Sequence, residues 1–346
     1  MSKYILTIED PHKNNAGPKA KEDVLHFLKA KDYRSLPLNI DLDPTNRGIL
    51  AKIRKVYDAK FVIPRALKKV DADTIIIQYP IYSTYLTTNL IEAIRKYTKA
   101  KLYLVIHDVE TLRLFNDDEA FVQSELAIFN EVDGIVLHNK RMQAWFDEQN
   151  IKTPCVDLQI FDYYNPVELV TAYNFDKSVV FAGNLEKSKF LTAQGFDKLG
   201  FELTLFGPNP AENYASNIDY RGIKTPEELP KYLDQNFGLV WDGNSLTECD
   251  GVFGEYTKYN NPHKASLYLS SGLPLIVWKQ SALADFVEDK KVGFAVDELS
   301  QVKERLETMS AKEYAEMKEN TLTLAESLRN GDYIKAAVSR LEQVGR

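Results

Sequence analysis

The stretch "YNNPHKASLYLSSGLPLIV" places His263 and Lys264 in the opening turn of a predicted helix. A helix N-terminus already carries partial positive charge, so basic residues there oppose the dipole. The arrangement suits an anion site, where free backbone N–H groups and the Lys264 ammonium converge on a phosphate or diphosphate. The spacing predicts Asn261 as N-cap, Pro262 at the first helical position, and His263 and Lys264 at the second and third. A solvated first turn is the competing reading. The Tyr- and Gly-rich approach, residues 251–260, weighs against it as a loop that closes over a ligand.

Two further stretches carry chemistry. "VVFAGNLEKSKF", residues 179–190, reads as a strand, a Gly-Asn turn and a helix start. Gly183 lets backbone approach a ligand, Asn184 shapes the turn, and Lys187 is placed for an anion near the helix N-terminus. A plain turn is the alternative, and no G-x-G-x-x-G fingerprint is present. "YLVIHDVETLR", residues 103–113, sets His107 and Asp108 at the carboxyl end of a buried strand. Asp108 there can take a proton from a hydroxyl. It can equally cap the next segment, with His107 a satisfied core-edge residue.

These residues need a scaffold of strand ends, and the rest of the chain supplies one. "KYILTI", "TIIIQYPIY", "KLYLVIHDV" and "GIVLHN" read as strands separated by helical patterns. Such continuous apolar strands imply a parallel sheet covered on both faces. The pattern pauses at residues 152–169 and restarts with "KSVVFAGN", "FELTLFGPNP", "FGLVWDGN" and "LPLIVW", followed by "SALADFVEDKKVGFAV". The last stretch, "DYIKAAVSRLEQVGR", is an amphipathic helix with no strand after it. Two doubly wound α/β halves predict a cleft, with ligands beyond the carboxyl ends of the strands.

Bulk properties narrow the field. The 346 residues suit two domains, and 44% hydrophobic with 27% charged residues is ordinary for a globular protein. A net charge of −7 argues against broad nucleic-acid binding. Two cysteines, Cys155 and Cys249, form no disulfide framework and fit a reducing cytoplasm. The N-terminus "MSKYILTIED" reads as no signal peptide, and no apolar run approaches bilayer-spanning length. A cytoplasmic location is the expectation, with peripheral contact at the inner face of the cell membrane left open. Asp41-Leu-Asp43 and Asp71-Ala-Asp73 mimic a metal-binding pair. The first lies in a Pro- and Asn-rich loop and the second precedes a strand, so solvated acids and no metal or cofactor are expected.

In combination, "LVIHDVETLR", "VVFAGNLEKSKFL", "FGLVWDGN" and "YNNPHKASLYLSSGLPLIVW" resemble two related groups of bacterial glycosyltransferases. One comprises the β-1,6-galactofuranosyltransferases of surface polysaccharide assembly, the other the glucosyltransferases that extend glycans on serine-rich-repeat adhesins. The likeness runs over most of the chain and is strongest over residues 179–296. It implies the α/β GT-B fold of two facing Rossmann-like domains: an acceptor-side domain over 1–160, a UDP-sugar domain over 161–328, and a helix over 329–346 returning to the N-terminal domain. It implies a UDP-hexose donor (galactofuranose or glucose), a saccharide or glycopeptide acceptor, metal-independent inverting transfer, and self-association into a homo-oligomer.

By that resemblance Asp108 is the base, with His107 the alternative, and Lys264 and Lys187 clamp the diphosphate. Some relatives carry Arg where this chain has Lys187, which keeps charge and changes geometry. Asn261 and Gly183 set geometry, and Asn184, Asp242, Tyr259, Asn260 and His263 join the UDP-sugar contacts. Tyr220, Gly222 and Ile223 fall at the uracil end. A non-catalytic sugar-nucleotide-binding partner and a nucleotide-sugar epimerase are the competing classes. Asp108 together with Lys264 favours the transferase, and no second convincing carboxylate supports the epimerase.

Overall fold

The computed structural model describes residues 2–8, 16–40, 48–171 and 174–344. They cluster into two compact units, one running to Leu158 and resuming at Ile334, the other spanning Gln159–Tyr333. Each is built on a six-stranded, all-parallel sheet.

The first unit holds β1 (Lys3–Thr7), β2 (Tyr33–Pro37), β3 (Thr74–Tyr79), β4 (Lys101–Ile106), β5 (Gly134–Leu137) and β6 (Cys155–Asp157). Their spatial order is β2-β1-β3-β4-β5-β6, so the winding reverses between β1 and β3. Every residue of β3 is buried, and of β4 only Lys101 is exposed. Helices on both faces explain why these strands read as unbroken apolar runs. The final helix, Asp332–Val344, buries Ile334, Ala337, Val338 and Leu341. From Ile334 onward it belongs to the first unit. Gly134 makes room for it, since a Cβ there would stand 2.8 Å from Leu341. Glu342 fastens it by accepting from Lys3 at 2.7 Å and from the Tyr33 hydroxyl at 2.9 Å.

The second unit holds β7 (Val179–Ala182), β8 (Leu203–Phe206), β9 (Ile218–Tyr220), β10 (Phe237–Val240), β11 (Leu275–Trp278) and β12 (Gly293–Val296). The order β12-β11-β10-β7-β8-β9 is that of a doubly wound nucleotide-binding sheet, with its reversal between β7 and β10. Ligands of such sheets sit beyond the carboxyl ends of the strands at that reversal.

Eight of these twelve strands coincide with strands read from the sequence, and β12 ends the stretch "SALADFVEDKKVGFAV"; β2, β6 and β9 have no counterpart. All three are sheet edges, where one side pairs with nothing, and β6 and β9 have three residues each. Half-exposed edges need no apolar run, so periodicity misses them. Two local expectations also change. No α-helix starts after Gly183; three short 3-10 turns follow, Leu185–Lys187, Lys189–Thr192 and Phe196–Lys198. The Asn184 side chain accepts from Glu186 N–H at 3.2 Å, and Gly195 at φ 91° breaks the path. The approach at 251–260 is no open loop but opens with the helix Gly251–Tyr256, in which Gly254 and Tyr256 are buried. A Cβ on Gly254 would lie 2.4 Å from the Cys249 backbone, so glycine there serves close packing.

Candidate functional site

In the second unit the helix His263–Ser270 starts one residue later than the sequence spacing predicts, with Pro262 at the N-cap. Lys264 is therefore its second residue. Its Nζ donates to both carboxylate oxygens of Asp242, at 2.8 and 3.0 Å, and to the Trp241 carbonyl at 3.3 Å. The same ammonium lies 4.5 Å from the centroid of the Phe181 ring and 3.9 Å from where a Cβ on Gly183 would be. Gly183 directly follows β7, and Asp242 comes two residues after β10. The cation is thus fixed at the reversal of the sheet, next to a position that lacks a side chain. A partly buried ammonium attracts an anion with less screening than one at the surface.

Asp242 is itself tied down. Its N–H reaches Cys249 Sγ at 3.5 Å, and the following loop is gathered by Asp250, which accepts from Ser245 N–H at 3.1 Å. Burial pushes the Cys249 thiol well above its usual range, as expected of a packing thiol.

The other residues expected near the anion divide. Asn184 accepts from Asn209 Nδ2 at 3.1 Å, and Asn209 lines a cavity of about 320 Å³ together with Tyr214. Tyr220 packs 6.2 Å from Tyr214 and donates to the Gly207 carbonyl at 3.0 Å, while Gly207 N–H donates to Gly222 at 3.1 Å. Gly207 was not singled out by the sequence, yet a Cβ there would fall 1.8 Å from the Gly183 carbonyl. Ile223 is exposed. Lys187 is exposed with its Nζ over the Phe253 ring at 4.6 Å. Asn261 does not cap the helix; its side chain is buried and donates to the Gln159 carbonyl at 2.7 Å. The His263 ring packs against Phe161 and Tyr163, 5.7 and 5.4 Å between centroids. Tyr259 and Asn260 are half-buried in the turn before the helix, and Asn260 Oδ1 is a buried acceptor with no hydrogen-bond partner.

In the first unit, His107 and Asp108 do follow β4 at its carboxyl end. His107 N–H donates to the Tyr79 carbonyl at 2.7 Å, and its Nε2 meets Gln78 Oε1 at 2.9 Å. Asp108 is partly exposed and accepts from Arg113 Nη1 at 2.7 Å. Arg113 also pairs with Glu110, at 3.0 Å. Burial pushes the Glu110 carboxyl up to about 7, against the lowering effect of Arg113. Behind it, the buried Glu125 accepts from the Tyr79 hydroxyl at 2.7 Å and from the N–H groups of Glu110 and Thr111 at 3.0 and 2.8 Å. Glu110 and Arg113 line a cavity of about 810 Å³ whose walls include Tyr79, Tyr82, Phe115 and Phe121. The sequence reading passed over both residues, although they stand in the "HDVETLR" stretch it quoted. Asp71 and Asp73 stand at the amino end of β3, where Asp73 accepts from Ser2 N–H at 2.6 Å. Asp41 and Asp43 lie outside the described residues.

Comparison with known proteins gives the same outline. Residues 2–160 match the family described as glucosyltransferase 3-like, N-terminal domain, and residues 179–341 its C-terminal domain. The chain is 31% identical over 340 residues, 96% of each chain, to the β-1,6-galactofuranosyltransferase WbbI of Escherichia coli (strain K12). It is 25% identical over 268 residues to glucosyltransferase 3 of Streptococcus gordonii, covering 76% of this chain and 77% of that one. Among solved structures, the trehalose-6-phosphate protein from E. coli bound with UDP-2-fluoro glucose aligns over 99% of both chains, with a TM-score of 0.63 at 12% identity. The fold is GT-B.

Proposed function

The chain belongs to the glucosyltransferase 3-like family of glycosyltransferases, and from that membership we propose that it transfers galactofuranose or glucose from a UDP-sugar to a saccharide or glycopeptide hydroxyl, with inversion and without a metal. The observation that carries the donor half is Lys264, held on Asp242 at the reversal of the second sheet beside Gly183. Exchanging its 3.3 Å contact with the Trp241 carbonyl for a phosphate oxygen leaves the ammonium between Asp242 and a diphosphate. The first turn of the helix His263–Ser270 adds backbone donors and dipole to the same charge. Lys187 is the second cation of this reading. The nucleoside end is assigned to the loops after β7 and β8, around Asn184, Asn209 and Tyr220.

In the first unit Asp108 is the base that takes the acceptor proton, and Arg113 positions it. Inversion is supported by the β product in the name of the E. coli relative, because a β-glycoside made from an α-linked sugar nucleotide requires attack from the opposite face. Donor charge is neutralised by Lys264, Lys187 and the helix terminus rather than by a metal ion. The test is UDP release from UDP-galactofuranose and UDP-glucose, with and without simple glycoside acceptors, in excess EDTA. Acceptor-dependent release from one of the two sugars, unchanged by EDTA, is expected. No release from either sugar sinks the donor assignment. Loss in EDTA that magnesium or manganese restores sinks the metal-independent mechanism.

A further inference from the structure

The helix Ile49–Tyr57, its π-helical continuation Asp58–Val62 and the short helix Ile63–Leu67 present a face that the catalytic reading leaves unused. Ile49 and Leu50 are 78% and 80% exposed, and Ile53, Val56, Tyr57 and Phe61 are also exposed. Positions 49, 53, 56, 57 and 61 recur at helical spacing, so they form one stripe. Water is a poor solvent for such a stripe, and burying it elsewhere is favourable in proportion to its area. At its end the Tyr57 and Phe61 rings stack at 5.3 Å, in the open.

The charge around this stripe is one-sided. Residues 48–69 hold Lys52, Arg54, Lys55, Lys60, Arg65, Lys68 and Lys69 against a single acid, Asp58. Asp58 is buried and pairs with Arg54 at 3.0 Å, so it offers nothing outward to offset them. The chain as a whole carries a net charge of −7, which makes this segment its opposite in sign. Protein–protein interfaces are depleted in lysine, and a symmetric contact between two copies of this face sets like charges together. Exposed aliphatic and aromatic side chains mixed with Lys and Arg are instead what the headgroup region of an anionic bilayer accommodates, rings at the headgroup level and cations on the phosphates.

We propose that this segment is a membrane-docking surface that lays its Ile49–Phe61 stripe into an anionic lipid bilayer. The surface is continuous with the wall of the 810 Å³ cavity, to which Ala51, Lys52, Lys55 and Val56 contribute. Docking therefore opens that cavity toward the lipid headgroups, where a lipid-anchored acceptor would present its sugar. The proposal concerns binding without turnover, so it stands or falls separately from the donor and acceptor assignments.

The test is co-sedimentation of the full chain with vesicles of phosphatidylcholine, alone or mixed with phosphatidylglycerol. Wild-type chain is expected to pellet with the mixed vesicles and to be released by salt, since each basic residue near such a surface strengthens partitioning about fivefold. The triple variant Ile49→Glu, Leu50→Glu, Ile53→Glu is expected to lose more than about tenfold in partitioning while keeping its Tm and its transfer to a soluble acceptor. Lys60→Glu with Lys68→Glu removes the preference for phosphatidylglycerol. Equal pelleting of wild type and the triple variant overturns the proposal, as does wild-type protein that stays in the supernatant with both vesicles. A wild-type oligomer that the triple variant breaks into monomers, seen by analytical ultracentrifugation without vesicle binding, overturns it in favour of a second copy.

Discussion

The Asp108–Arg113 pair of the first unit and the Lys264–Asp242 pair of the second both stand at the carboxyl ends of strands, and the proposed function gives them opposite duties. In the first unit Arg113 holds the carboxylate of Asp108 at 2.7 Å, and the proposed mechanism makes that carboxylate the reactive partner. In the second Asp242 holds the ammonium of Lys264 at 2.8 Å, and the same proposal makes the ammonium the acting group. The surroundings separate them. Lys264 has a ring face and a glycine beside it, which leave room for an anion. Asp108 shares its holder with Glu110, whose burial leaves it titrating near neutrality. The first site therefore has a pH response built into it. Similar contact distances say little about function until the neighbours of each partner are counted.

The comparison breaks most readily at Asp108. Asp108→Asn keeps shape and removes basicity, so transfer is expected to fall by about 10²–10⁴ while UDP binding survives. Normal transfer in this variant, with loss in His107→Ala, moves the base to His107. Glu110 sharpens the difference next. Its pKa lies above the unfolded value of 4.5, so the folded state binds the extra proton between about 4.5 and 7. Its stabilising contribution is complete below the unfolded value and is lost as pH rises through about 7. At about 1.4 kcal/mol per unit, that window spans about 3 kcal/mol, and Glu110→Gln is expected to flatten it in urea titrations at several pH values. Ionised Glu110 anchors Arg113, which holds Asp108 in place, so wild-type transfer is expected to rise through about pH 7 and the variant to lack that limb. A variant with the wild-type pH profile refutes the coupling.

Lys264→Ala should cost about 1.5–3 kcal/mol in donor affinity or turnover, the worth of one charge-assisted contact. Asp242→Asn, which keeps the cation but loosens it, should cost less; the reverse ranking would mean that Asp242 contacts the donor itself. The smallest effect is expected at Lys187. It is exposed and held by the Phe253 ring, so Lys187→Ala should weaken UDP binding by only about two- to fivefold in calorimetry.

Buried parallel strands were legible from sequence because burial on both faces forces apolar runs, as in "TIIIQY" and "LIVW". The same runs located Gly183, His107 and Asp108, since residues just after such strands stand at the carboxyl edge of a sheet. Local spacing also put Lys264 in the first turn of its helix, although the cap moved from Asn261 to Pro262. The sheet edges β2, β6 and β9 left no such trace. Nor did the partnerships that give the site its chemistry. Lys264 meets Asp242 across 22 positions and Glu125 meets Tyr79 across 46, and no periodicity encodes which distant loops come together. Glu110 is three residues from Arg113 and was still missed, because its proton affinity depends on how deeply it is buried, and only packing decides that. Residue type and spacing determined which groups could act on an anion or a proton. Tertiary structure decided which were held, which were desolvated, and which, like His263 and Asn261, were taken up in packing.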